Sequence, residues 1–192
     1  MRKVFAFAVL GILFSTTAMA QPEVMTASRK RVLDTFFSNF SETGMKSFTK
    51  GSLSDKALLD FAICHVLRND YRLLKKSKDS VLVPAELVDK VTVKYFGRKI
   101  KELRKKQYTV PDSSGEAYVF SRISRLKKLG DHLYRAEGVI YVAGSGSTLD
   151  PHGTPAQWKK AGEEPDRAGT FDARIEEQSG KFILTQYIVN GQ

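Results

Sequence analysis

Apolar residues recur at every third and fourth position through the first half of this chain and at every second position through the rest. Val32, Phe36, Phe37 and Phe40 form one stripe, and Leu58, Leu59, Ala62, Ile63, Val66 and Leu67 form the next. That spacing predicts amphipathic helices between Ser28 and about Lys106. Ser54 stands where an N-cap is wanted, and Asp55 behind it favours the positive end of the helix dipole. A third helix is predicted from Pro84, a suitable first helical residue, through Leu87, Val88, Val91 and Tyr95 to Gly97, with Glu86 in its first turn. Gly97 then ends it, or kinks it ahead of a last helical piece, Arg98 to Lys106.

Beyond Gln107 the period falls to two. Tyr118, Phe120 and Leu126 open one strand, "LGDH" from Leu129 turns the chain, and Leu133 to Ala143 returns. A second hairpin follows, with Thr170 to Glu177, the turn "QSGK" and Phe182 to Val189. The expected class is therefore α+β, three N-terminal helices packed on a curved four-stranded antiparallel sheet. Residues 144–168 between the hairpins have no period and hold four glycines, three of the six prolines and the single tryptophan. Connections of that length are lids, binding loops or disordered excursions. Trp158 gains little in a solvated loop, which suggests instead that it plugs the end of the sheet.

The first twenty residues change the setting. Arg2 and Lys3, the apolar run Val4 to Phe14 and the small residues Ala18, Met19 and Ala20 have the layout of a cleaved secretory leader of bacterial type. The run is about half the roughly 20 residues that a membrane span needs. Cleavage leaves Gln21 first in a single domain, 21–192, with a helical part over about 28–106 and a sheet part over about 115–190. The expected destination is the periplasm or the cell exterior, in soluble form. Cys64 is the only cysteine, so packing alone must hold the domain.

Charge is divided unevenly. The whole chain carries 31 basic and 21 acidic side chains, net +10; residues 21–110 hold 19 and 10 of these, and residues 111–192 hold 10 and 11. On a helix, Lys94, Arg98, Lys101 and Lys105, with Arg104 beside them, would form a cationic outer face over a stripe of Phe96, Ile100 and Leu103. Nucleic acid is not expected as the partner, because export removes the usual targets; anionic surfaces of the envelope remain.

Chemistry-bearing motifs are sparse. Cys64 and His65 are adjacent, and consecutive helical residues point about 100° apart, so the two cannot share a proton; Cys64 reads as a structural residue on an apolar face. His65, His132 and His152 have no partner at metal-ligand spacing, so no metal and no cofactor is expected. "GSGS" from Gly144 lacks the strand-to-helix setting of a phosphate loop. No catalytic residue is assigned.

The aromatic anchors Phe36, Phe37 and Phe40, "YVF" at Tyr118, "GVIYVAG" at Gly138 and "FILTQYIV" at Phe182, taken in this order of elements, resemble the NTF2-like superfamily, in which a bent sheet wraps helices into a cone with a pocket at its open end. "DSVLV" at Asp79 would supply the short strand that the family places between its helices. The resemblance implies a pocket approached by polar strand residues, of which Tyr118, Arg122, Tyr134, Glu137, Asp172, Arg174 and Tyr187 are the ones to inspect; Tyr118, Tyr134, Tyr187 and Trp158 are the pocket candidates. Alternation puts Phe171, Ala173 and Ile175 on the core face and sends Asp172 and Arg174 out as an ion pair, and puts Tyr134 with Ala136, Gly138, Ile140 and Val142, opposite Glu137. Three functions fit. The first is a noncatalytic exported binding or accessory protein for a small ligand or an envelope partner. The second is an isomerase or dehydratase of the cone type. The third is an envelope protein docking on anionic surfaces through the basic helix. A homodimer is compatible with each.

Overall fold

The computed structural model describes residues 21–112 and 118–191. The leader assigned to Met1–Ala20 lies outside the described residues, and among those described no helix is long and apolar enough to cross a membrane. The fold is α+β, with helices and two antiparallel sheets.

Helix α1, Ala27–Glu42, starts at Thr26, whose hydroxyl accepts the Arg29 N–H at 3.2 Å. It buries Leu33, Phe36, Phe37 and Phe40 but leaves Val32, counted in the same stripe by sequence, 53% exposed. Helix α2, Asp55–Asn69, is capped by Ser54 as expected from the sequence. Helix α3, Ala85–Phe96, follows Pro84, which caps rather than opens it, and stops at Gly97 in the left-handed conformation that favours glycine. A three-stranded sheet joins β2, Lys75–Ser77, β3, Ser80–Pro84, and β4, Gln107–Pro111, in the order β2-β3-β4. The second of these is the expected short strand between the helices.

The helical piece predicted over Arg98–Lys106 does not form; the segment is irregular. Its cause is Asp55. That carboxylate accepts the backbone N–H groups of Lys101 at 2.6 Å and Glu102 at 2.9 Å and pairs with the Arg98 guanidinium at 2.6 Å, while a second Arg98 nitrogen donates to the Leu53 carbonyl. Amides pointed at a carboxylate on another helix are not available to an i−4 carbonyl, and a nine-residue helix has little stability of its own to set against them. Ile100, 2% exposed, is pressed into the core. The Glu102 amide, Arg98 and the Lys101 amide hold the Asp55 carboxyl down at about 2. A depressed carboxyl gives stability that is present above the ordinary carboxylate pKa and lost as pH falls from about 4 toward 2. Asp55→Asn is expected to remove that part of the acid dependence and to speed amide exchange at Lys101 and Glu102 at neutral pH. Unchanged exchange at both amides would mean that Asp55 does not hold the segment.

The larger sheet runs in the order β1-β5-β6-β7-β8, formed by β1, Gln21–Pro22, β5, Tyr118–Gly130, β6, Leu133–Ala143, β7, Asp166–Gln178, and β8, Lys181–Asn190. Four of these strands are long, and they are the two predicted hairpins. Tyr134, Ala136 and Gly138 pair with Ile175, Ala173 and Phe171, which sets the inner face as alternation required. A Cβ on Gly138 would overlap the Phe171 ring and the Arg122 carbonyl, so only glycine fits there. Asp172 does point outward, but its partner is Arg135 across the ladder, with Nε at 3.0 Å, and not Arg174 on its own strand.

β1 covers β5 at only two positions, Lys127 and Lys128, and helix α1 serves the strand beyond them. The Ser38 hydroxyl accepts the Ser121 N–H at 3.0 Å, and the Asp34 carboxylate accepts the Ile123 N–H at 2.7 Å. Side chains of a helix thus stand in for a missing strand, which leaves those edge amides unable to template another chain.

Candidate ligand groove

Helix α1 leans on β5 and helix α3 leans on β8, and between them an open groove of about 1300 Å³ remains. Each helix gives it one stripe at identical spacing. Ser28, Arg31, Val32, Thr35, Phe36 and Asn39 come from α1, and Glu86, Asp89, Lys90, Val93, Lys94 and Gly97 line it from α3 and its cap. Steps of three, one, three, one and three keep six residues on a single helical face. The tip of the β7–β8 hairpin, from Gln178 to Ile183, closes one side.

The floor is aromatic. Phe36 lies 5.8 Å from Tyr95 and 5.8 Å from Phe182, centroid to centroid. Above it Val32 and Val93, 53% and 42% exposed, face the groove from the two helices. Among the described residues these are two of only five large apolar side chains left substantially exposed, so their convergence on one groove marks a surface and not scatter.

The rim is cationic. Arg104 and Lys99 reach Asp89 at 2.7 and 3.4 Å, whereas Arg31, Lys90, Lys94 and Lys181 make no ion pair among the described residues. Lys94 sets its ammonium 4.7 Å above the Tyr95 ring. Beneath the floor, the Tyr95 hydroxyl lies 3.0 Å from His65 Nε2. Burial first, and the Lys94 charge second, push the His65 pKa down to about 4, and burial raises that of Tyr95, so both are uncharged at neutral pH. His65 is 6% exposed and lines no part of the groove. The contact therefore orders the floor from below, and of the two only Tyr95 lines the groove.

The four pocket candidates are not brought together. Tyr134 and Tyr187 are core residues on the inner face, the first under the Arg29 guanidinium at 5.0 Å and the second fully buried with its hydroxyl unpartnered, its pKa driven well above the ordinary range by burial. Tyr118 and Trp158 lie on the opposite face of the sheet with Phe120, Tyr141 and Leu149. None of the four lines the groove. Of the cationic candidates, Lys94 and Arg104 do, Arg98 is engaged by Asp55, and Lys101 and Lys105 stand exposed beyond it.

Residues 144–165 are folded, contrary to a solvated loop. Helix α4, Pro155–Lys160, carries a capping box between Thr154 and Gln157, and Trp158, 5% exposed, donates from Nε1 to the Asp150 carbonyl at 2.6 Å. Trp158 meets the Phe120 and Tyr141 rings edge-on, on the outer face where β5 begins and β6 ends. Cys64 is half-buried and not sealed in the core; its neighbour His65 is the buried one. The capping box was readable as "TPAQ", with proline at the first helical position. The groove was not, because periodicity assigns residues to a face without saying which faces meet.

No family model, no curated protein and no solved structure matches the chain.

Proposed function

We propose that this is an exported, noncatalytic binding protein of NTF2-like cone architecture, with the groove between α1 and α3 as its ligand site. The observation that carries the function is the floor of Phe36, Tyr95 and Phe182 under half-exposed Val32 and Val93. A folded domain gains stability by covering such surface, and a concave apolar site with polar groups at its margin is the usual form of a ligand pocket. The order of elements, three helices and then four long antiparallel strands with the short strand β3 among the helices, supports the cone. Export rests on the leader pattern of Met1–Ala20. An enzyme of the same shape would need a titratable pair open to ligand with shifted pKa values; of His65 and Tyr95 only Tyr95 lines the groove, and His65 is buried behind it.

Native mass spectrometry of the protein purified gently from the periplasm tests both parts. The expected mass begins at Gln21 and carries a noncovalent adduct that is lost on denaturation. A chain starting at Met1 overturns export, and a bare protein that also fails to bind an apolar dye such as anilinonaphthalene sulfonate overturns the groove.

A further inference from the structure

Resting on the groove as the ligand site, the geometry points to one chemical class of ligand: we propose that it holds a single-chain fatty carboxylate, with the alkyl chain along Val32, Phe36, Val93 and Ile183 and the carboxylate among the rim cations. The walls argue for the chain. Both helices satisfy their backbone groups internally, so these two walls lack the regular donors and acceptors that an extended peptide requires, and only the short stretch 181–183 of the edge strand β8 has any to offer. A peptide lying along the helices would leave most of its own N–H and C=O groups unpaired, whereas an alkyl chain has none to satisfy.

The rim argues for the head. Six cations line the groove, Arg31, Lys90, Lys94, Lys99, Arg104 and Lys181, against two acids, Glu86 and Asp89. Asp89 is already held by Arg104 and Lys99, so the positive potential that remains is centred on Arg31, Lys90, Lys94 and Lys181. Cations outnumber acids three to one around this apolar cleft, which concentrates a positive field on an anion entering it. The kind of anion follows from which cations the rim leaves free. A phosphodiester is gripped by an arginine fork or a cradle of backbone amides. One Arg104 nitrogen is engaged by Asp89 and Arg31 is the rim's single arginine left without an ion pair among the described residues, so three of the four free cations are lysines, point charges of the kind one carboxylate needs.

The test uses cis-parinaric acid, whose fluorescence rises in apolar surroundings, and its methyl ester, which has the same chain without the charge. The purified protein is first stripped of bound lipid on a hydrophobic resin. The acid is expected to bind at least about tenfold more tightly than the ester, and oleate to displace it. Lys94→Glu combined with Lys181→Glu is expected to lower affinity for the acid about tenfold and leave the ester unchanged, and both side chains lie at the surface, so circular dichroism should report an intact fold. Equal binding of acid and ester overturns the carboxylate assignment while the groove stands as a ligand site. Displacement by lysophosphatidylglycerol but not by oleate overturns it in favour of a phospholipid. Binding of neither probe, or loss of binding as the protein dimerises, overturns this inference together with the groove.

Discussion

Replacing Phe40 with alanine is expected to lower the unfolding free energy by about 3 to 5 kcal/mol, the usual cost of deleting a fully buried aromatic. Phe40 is 0% exposed and sits at the centre of the aromatic core: it stacks on Phe61 at 5.1 Å and meets Phe36, Tyr95, Phe96 and Tyr187 within 5.8 Å. Those neighbours come from α1, α2, α3 and β8, so the cavity would open where every layer meets, with no single element free to collapse into it. For a domain of ordinary stability, about 5 to 15 kcal/mol, that is a large share. Urea unfolding followed by circular dichroism measures it as a fall in midpoint at unchanged slope. Phe36→Ala is the internal control. Phe36 is 9% exposed at the groove floor, where one side of the vacancy opens to water, and its loss should be the smaller of the two. A cost for Phe40→Ala under about 1 kcal/mol, or a larger cost at Phe36, would contradict this account of the core.

Phe40 was legible from sequence as a core residue, and the reason separates what can be read from what cannot. The stripes of α1 to α3 and the alternation of β5 to β8 are local consequences of a period, and caps such as Ser54 act within one turn. What escaped is carried by contacts distant in the chain. Arg98–Lys106 has a helical pattern, but Asp55, more than forty positions earlier, takes two of its amides. Trp158 lies in a stretch without a period because its order comes from turns, a capping box and packing on the outer face of the sheet. Val32 has the spacing of a core residue and is exposed because α3 stands away from α1 at that point. The same divergence makes the groove, so the misplacement of Val32 by sequence and the absence of the site from sequence have one physical cause.

Replacing Asp34 with alanine is expected to cost about 3 to 5 kcal/mol, as removal of one partner from a buried ion pair usually does. Its side chain is 3% exposed, takes the Ile123 amide and the Lys30 ammonium at 2.7 and 2.8 Å, and lies 3.2 Å from Arg122 Nε. Alanine would leave a strand-edge amide without an acceptor and Arg122 without its counter-charge. Arg122 is also the link to the folded crossover, since it donates to the Pro151 and Gly153 carbonyls and stands 5.5 Å from the Trp158 ring. The loss should therefore appear in two places. Trp158 is the only tryptophan, so its fluorescence reports the crossover alone, while circular dichroism reports the helices and sheet. In Asp34→Ala the tryptophan emission is expected to shift to the red at lower urea than the main transition; in the wild type the two should coincide. Asp34→Asn keeps an acceptor for Ile123 while removing the charge, and should fall between them. Because Asp34 and Ser38 fasten α1 to β5, the alanine variant should also weaken parinarate binding, although Asp34 lines no part of the groove. Coincident transitions at wild-type stability would remove Asp34 as the clasp between α1, the sheet edge and the crossover.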